Sequence, residues 1–407
     1  MGNTPLGWAA ENGHEGVVEL LLSRHDIDPN KAGEGGQTPL FRAARGGHEG
    51  VVKMLLRRED VDANKSDDEG ETPLCCALRK RHERVVKSLL GRDDIDPDKG
   101  EGDDCPTALS LGVYFRNHGV VRMLLEREDV NPNKLGVNDN TPLGIGAFDG
   151  DEEMVKMLLE RDDVNPNDTD EGGRTPLWWA AASGEEVVVK MLLERDDVNP
   201  EKPDDRGQTP LCCAAENGSD GVVKVLLGRE DVNPNGPDNN GNTPLIYAVW
   251  GHHEGVVEIL LREDQVKPDE SNDDGRTPLS CAAASGHTGI IKMLLGRDDV
   301  NPDTPDKDGR TPLWWAARSC YLGVMEIFIE RDDVNPNTPD KDGKTPLHHA
   351  ALYGHVKKVR MLLKRDDINP NKPDNNGETA LSCAARRGHT QLVALLQHHT
   401  ASTHSTD

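Results

Sequence analysis

TPLSCAAASGHTGIIKMLLGRDDVNPD, residues 277–303, holds two helices and a loop in one stretch. Thr277 reads as an N-cap, and Pro278 suits the first helical position, where its missing N–H costs nothing. The short helix that follows ends near Gly286, because glycine accepts the left-handed conformation of a helix stop. A second helix turns Ile290, Ile291, Met293, Leu294 and Leu295 toward a core. RDDVNPD and a D-x-x-G turn, punctuated by Pro and Asn, then lead to the next threonine, Thr311.

The same plan returns along the whole chain. Its threonines stand at 4, 38, 72, 107, 141, 175, 209, 243, 277, 311, 345 and 379, always 34 apart except for 35 between Thr72 and Thr107. The fourth and twelfth copies read Thr-Ala-Leu in place of Thr-Pro-Leu. A fixed period of this size predicts stacked repeats, each burying its apolar face against its neighbours. The expected fold is all-α: twelve helix-turn-helix repeats with short β-turn fingers, forming one solenoid over residues 1–399 with a disordered tail at 400–407.

These features resemble the ankyrin repeat family, whose unit has T-P-L-H-x-A-A, then G-H, V-V-x-x-L-L and D-V-N. They stand here as Thr345, Pro346, Leu347, His348, Ala350, Ala351, Gly354 and His355, and as Val51, Val52, Leu55, Leu56 and Val61. The unit is one residue longer than the family's usual unit, because R-D-D replaces a tighter loop. Long arrays with R-D-D-V-N-P-N loops look like those of fungal ankyrin proteins, some with an NTPase domain upstream. The resemblance implies a non-catalytic scaffold or adaptor that holds protein partners in a concave groove and at its loop tips. The alternative is the sensor or regulatory fragment of a larger signalling NTPase or other multidomain enzyme.

Composition narrows the classes. Of 407 residues, 35% are hydrophobic and 3% aromatic, and the formal charge is -26. That field repels nucleic acid and anionic membranes, so a basic or neutral protein is the expected partner. No apolar run is long enough to span a bilayer, and the N-terminus lacks the pattern of an export signal. The chain is expected to be a soluble monomer in the cytoplasm, with the nucleus left open. Repeat one has no polar capping repeat before it, so the chain is expected either to be a fragment or to fray at its first helix.

Chemistry finds no foothold. A Walker A loop is absent. His-Glu pairs at 14, 48, 82 and 253 lack the second histidine of a zinc protease. Those histidines and His287, His355 and His389 all stand ten residues after a threonine, which points to bonding with loop backbone rather than to metal. Asp306, Asp308 and Gly309 resemble part of a calcium loop, but Trp315 stands where its glutamate belongs. The eight cysteines read as reduced packing residues, and the loop carboxylates as a solvated ridge. No enzyme activity, cofactor or metal is expected.

Departures from the pattern locate a candidate site. The glycine nine residues after the threonine becomes Arg81, Arg116, His252 and Cys320 in four repeats. With the inserted residue and Cys105-Pro106, this predicts irregularity over residues 95–120. A helical wheel turns positions +3, +4, +7 and +8 from the threonine away from the core. Candidate partner contacts are therefore Arg79, Lys80, Tyr114, Phe115, Phe148, Trp250, Arg318, Tyr353, Arg386 and Arg387. Arg79, Lys80, Tyr114, Phe115 and Phe148 form the sharpest patch, opposed by the possibility that the fourth repeat folds its aromatics into its own core. Of the Trp-Trp pairs at 178–179 and 314–315, Trp178 and Trp314 are expected to show at the groove, and Trp179 and Trp315 to wedge between repeats.

Overall fold

A computed structural model describes residues 2–100 and 106–403 of the chain. Among the described residues there are 24 α-helices and no strand, two helices to each threonine period. The fold is the all-α repeat solenoid expected. Residues 1–205 and 206–407 each form a compact half. In the first half, each repeat's first helix packs on the first helix of the next, through Pro5–Glu11, Pro39–Gly46, Pro73–Arg79, Ala108–Tyr114, Pro142–Phe148 and Pro176–Ser183. The second half repeats this from Pro210–Asn217 to Ala380–Arg386. The last helix runs Thr390–Thr403, past the array end expected at 399, and residues 404–407 lie outside the described residues.

The helices form for the reasons the pattern suggests. In eleven repeats the threonine hydroxyl accepts the backbone N–H three residues on, as from Phe41 to Thr38 at 3.1 Å. Thr345 instead meets His348 Nδ1 at 2.8 Å. The core is a column of leucines and alanines from the first helices and valines from the second, such as Leu211, Ala214, Val222 and Val223.

The glycine nine residues after the threonine is required twice over. Gly47 takes φ +73°, and a Cβ there would lie 2.8 Å from the ring of His82 in the next repeat. That ring has its own task. His48, His82, His253 and His389 each place Nε2 on the carbonyl at the end of the preceding repeat's first helix, at Glu11, Arg45, Glu216 and Leu352, 2.9–3.2 Å away. These four histidines thus bond to backbone, as the sequence suggested, but to that of a neighbouring helix end and not of a loop, and His287 Nε2 is buried without a partner. Where glycine is lost, Arg81, Arg116 and His252 keep the left-handed turn at φ +60°, +54° and +64°. The fourth loss is resolved differently, by Lys358.

The aspartates of the R-D-D loops are exposed, as a solvated ridge would have them, and the arginines beside them also tie the repeats together. Arg58, Arg92, Arg127, Arg161, Arg297, Arg331 and Arg365 each hold the aspartate two residues on, through two nitrogens. The third nitrogen of each donates to a carbonyl at the end of the preceding repeat's second helix, as from Arg58 to Leu22 at 2.9 Å. The free carbonyls of a helix C-terminus are thus satisfied by a neighbour's cation. The N-P-N asparagines form a second ladder: Asn64 donates to the carbonyl of Asp94 at 2.6 Å and accepts from the N–H of Asp96 at 2.8 Å.

Candidate functional site

Among the described residues, several of the fingers that precede the threonines are built around one aspartate. Asp170, Asp306, Asp340 and Asp374 each accept, on Oδ1, the backbone N–H groups two and four residues on. Oδ2 is left for side chains of the first helix, and this decides where the tryptophans go. Trp179 Nε1 reaches Asp170 at 3.1 Å, Trp315 Nε1 reaches Asp306 at 3.2 Å, and Tyr247 and His349 do the same with Asp238 and Asp340. Position +4 therefore anchors its own finger. Position +3 reaches forward: Trp314 Nε1 donates to Asp340, in the next finger, at 3.1 Å.

Trp314 is consequently buried, at 3% exposure, and Trp178 is buried at 6% with no partner for its Nε1, so the expectation that they show at the groove is corrected. The wheel placed +3 away from the helix core correctly, but at Trp314 the next finger folds over it. Trp315 is buried as expected, and Trp179 is half-buried. Burial pushes the Asp340 carboxyl up, yet it stays below the usual range because His349, the Lys344 N–H and Trp314 donate to it.

Exposure concentrates at positions +7 and +8. Arg79, Lys80, Tyr114, Phe148, Trp250, Arg318, Tyr353, Arg386 and Arg387 are exposed, and Phe115 is half-buried. Tyr114 and Phe148 are both 49% exposed, so the fourth repeat has not folded its aromatics into its own core. Tyr114 packs edge-on against Phe115 at 5.2 Å, and Phe148 edge-on against Trp179 at 5.3 Å. Arg79, Leu111, Tyr114, Phe115, Asn138 and Asp139 surround an open cavity of about 450 Å³. The finger on its far side is irregular, with Asn138 and Asp139 both at positive φ, which carries the irregularity past residue 120. Cys105 lies outside the described residues.

Within each half, helix pairs stack with fingers and two recurrent ladders along their junctions, and this is the pattern a family model matches. A model described as ankyrin repeats (3 copies) covers residues 6–103, 109–204, 189–272, 264–340 and 324–407. The chain belongs to the ankyrin repeat family. Ankyrin repeats generally mediate protein–protein interaction. Comparison with curated proteins finds no match.

Among the described residues no group of three or more His, Cys, Asp or Glu side chains could hold a metal ion, and no helix is long and apolar enough to cross a membrane. Cys76 and Cys281 are buried thiols, pushed up by burial to about 12 and about 11, which keeps them protonated. Cys320 is exposed, unlike the packing role read for the cysteines as a group.

One residue escaped the sequence reading. Lys358 stands where the other second helices carry Val or a similar core residue, and it is 1% exposed. Its ammonium donates to the carbonyls of Ala316 at 2.6 Å and Ala317 at 3.5 Å, and to that of Ser319. These end the first helix of repeat ten, where Ser319 is extended at φ −63°, ψ 168° and Cys320 has replaced the glycine. The cation does what a left-handed glycine cap does elsewhere, and burial lowers its pKa to about 8. A charge in the valine column, one repeat after a gap in the glycine column, was the available signal.

Proposed function

We propose that this ankyrin array is a non-catalytic scaffold whose protein partner docks on the groove side of repeats three to five, across Arg79, Lys80, Tyr114, Phe115 and Phe148. The observation that carries the reading is the contrast between aromatics. Trp178 and Trp314 are buried, while Tyr114 and Phe148 stay about half exposed and Tyr114 lines an open cavity. Exposed aromatic and arginine side chains are the types that dominate binding energy at interfaces. Trp250, Arg318, Tyr353, Arg386 and Arg387 extend the same type of surface in the second half. The array acts as a monomer in the cytoplasm under this reading.

A Tyr114→Ala, Phe148→Ala double variant tests it. Both side chains project from the surface, so the melting temperature should stay near that of the wild type. Partners captured by the wild-type chain should be lost. Equal recovery of every partner would remove repeats three to five as the docking surface.

A further inference from the structure

The chain as a whole carries -26, yet the first-helix ends of repeats two to four present Arg45, Arg79, Lys80, Arg81 and Arg116, all exposed. Among the described residues Glu71 pairs with Arg79 at 3.0 Å and Asp149 with Arg116 at 3.3 Å, Asp151 lies close enough to feel the charge of Arg116, and Asp139 stands across the cavity. Lys80 and Arg81 take part in no ion pair among the described residues, and the Arg81 guanidinium lies over the Phe115 ring at 5.2 Å. Two of these cations occupy left-handed turns, Arg81 and Arg116, in positions where eight repeats hold glycine. The histidine that packs on such a glycine is also replaced in the repeats that follow, by Asn117 and Asp151. Backbone strain that a glycine would relieve, kept at two adjacent repeats and each time by arginine, is the kind of strain that functional sites retain.

We propose that this surface takes an acidic segment of a partner protein, with one aromatic or other apolar side chain of that segment seated in the cavity against Tyr114. The proposal rests on the docking surface proposed above and names the partner's chemistry. Guanidinium groups favour carboxylates because two N–H donors match two oxygens. Screening confines each exposed charge to about 8–10 Å at ordinary salt, so a short acidic segment meets these cations while the distant loop carboxylates are screened. A long polyanion such as nucleic acid would extend into the acidic remainder of the chain and be repelled. The overall charge alone favoured a basic or neutral partner; the local arrangement reverses that.

The test is fluorescence anisotropy of the full chain with four labelled probes. These are a short Glu-rich peptide with one central Phe, the same peptide with Ala for Phe, its Lys-rich counterpart with Phe, and a single-stranded oligonucleotide. The Glu-rich Phe peptide should bind most tightly and weaken as salt rises. The decisive variant is Arg81→Gly, Arg116→Gly, which restores the preferred residue in both turns. It should melt no lower than wild type while binding the acidic Phe peptide about tenfold more weakly, a change a folding defect could not explain. Unchanged binding by this variant, or binding of the oligonucleotide in place of the peptide, overturns the proposal. Preference for the Lys-rich peptide that Tyr114→Ala abolishes would overturn acidic specificity and leave the docking surface standing. Peptide binding indifferent to Tyr114→Ala would remove the surface itself.

Discussion

Lys358 sets its ammonium 2.6 Å from the carbonyl oxygen of Ala316, so a lysine of repeat eleven closes a helix of repeat ten. A buried ammonium is tolerated because the carbonyls it meets have no glycine turn to satisfy them. Lys358→Val restores the residue type of the column but strands those carbonyls, and it should cost about 2 kcal/mol. Adding Cys320→Gly should return most of that loss by allowing the usual turn. Urea unfolding of both variants checks this. A neutral or stabilising single Lys358→Val would show that the ammonium is no cap.

Much of the array was legible because each decisive residue recurs. Thr, Pro, Gly and His report local backbone chemistry, and twelve copies separate that chemistry from accident. What escaped were relations between repeats. The wheel knew that Trp314 leaves the helix core but not that Asp340 lies 26 residues on to receive it. The R-D-D acids are exposed, as a solvated ridge requires, but the role of their arginines was hidden because the carbonyls that hold them belong to the preceding repeat. Exposure at Tyr114 and Phe148 followed from position +7, which the helical wheel turns away from the core.

The asparagine ladder carries acids at four rungs, Glu201 and three aspartates; the aspartates are Asp98, Asp269 and Asp303. Each accepts a backbone N–H on Oδ2, from Asn131, Asn301 and Asn335, at 2.6–2.8 Å, while Oδ1 is buried without a partner. The missing bond is the one that the amide of Asn64 donates. Burial pushes all three carboxyls up, with nearby Asp129, Asp299 and Asp333 adding to it and Lys134 and Arg365 opposing it at Asp98 and Asp303. A carboxyl with a raised folded pKa binds more protons folded than unfolded between its two pKa values, so its contribution to stability falls as pH rises through that window. Asp303→Asn and Asp269→Asn should each add about 1 kcal/mol at neutral pH. The gain over wild type should shrink as pH falls toward the unfolded carboxylate pKa of about 4. A gain that does not vary with pH would refute the protonation account.

The two tryptophan pairs should respond differently to the same change. Trp314 Nε1 donates to Asp340, whereas Trp178 Nε1 is buried without a partner. Trp314→Phe should therefore cost about 1–2 kcal/mol by removing a hydrogen bond to a charged acceptor. Trp178→Phe removes an unsatisfied donor along with some packing area, and should cost clearly less. Thermal melts of the two variants, compared directly, decide this; equal losses would mean that packing alone sets the value of both residues.

One rung of the arginine ladder is missing. Where the other loops carry Arg and, two residues on, Asp, repeat eight has Glu263 and Gln265. The helix ends that such an arginine would reach are those of repeat seven, near Leu227, by the same offset that joins Arg297 to Leu261. Glu263→Arg with Gln265→Asp should install the rung, and replacing an acid near a helix C-terminus with a cation adds to the effect. The expected gain is about 1 kcal/mol, since the guanidinium would be partly covered and held through two nitrogens, unlike a mobile surface pair. Glu263→Arg alone should give less, because the aspartate orients the fork. If the double variant gains no more than the single, the aspartates of these loops serve charge balance and not geometry.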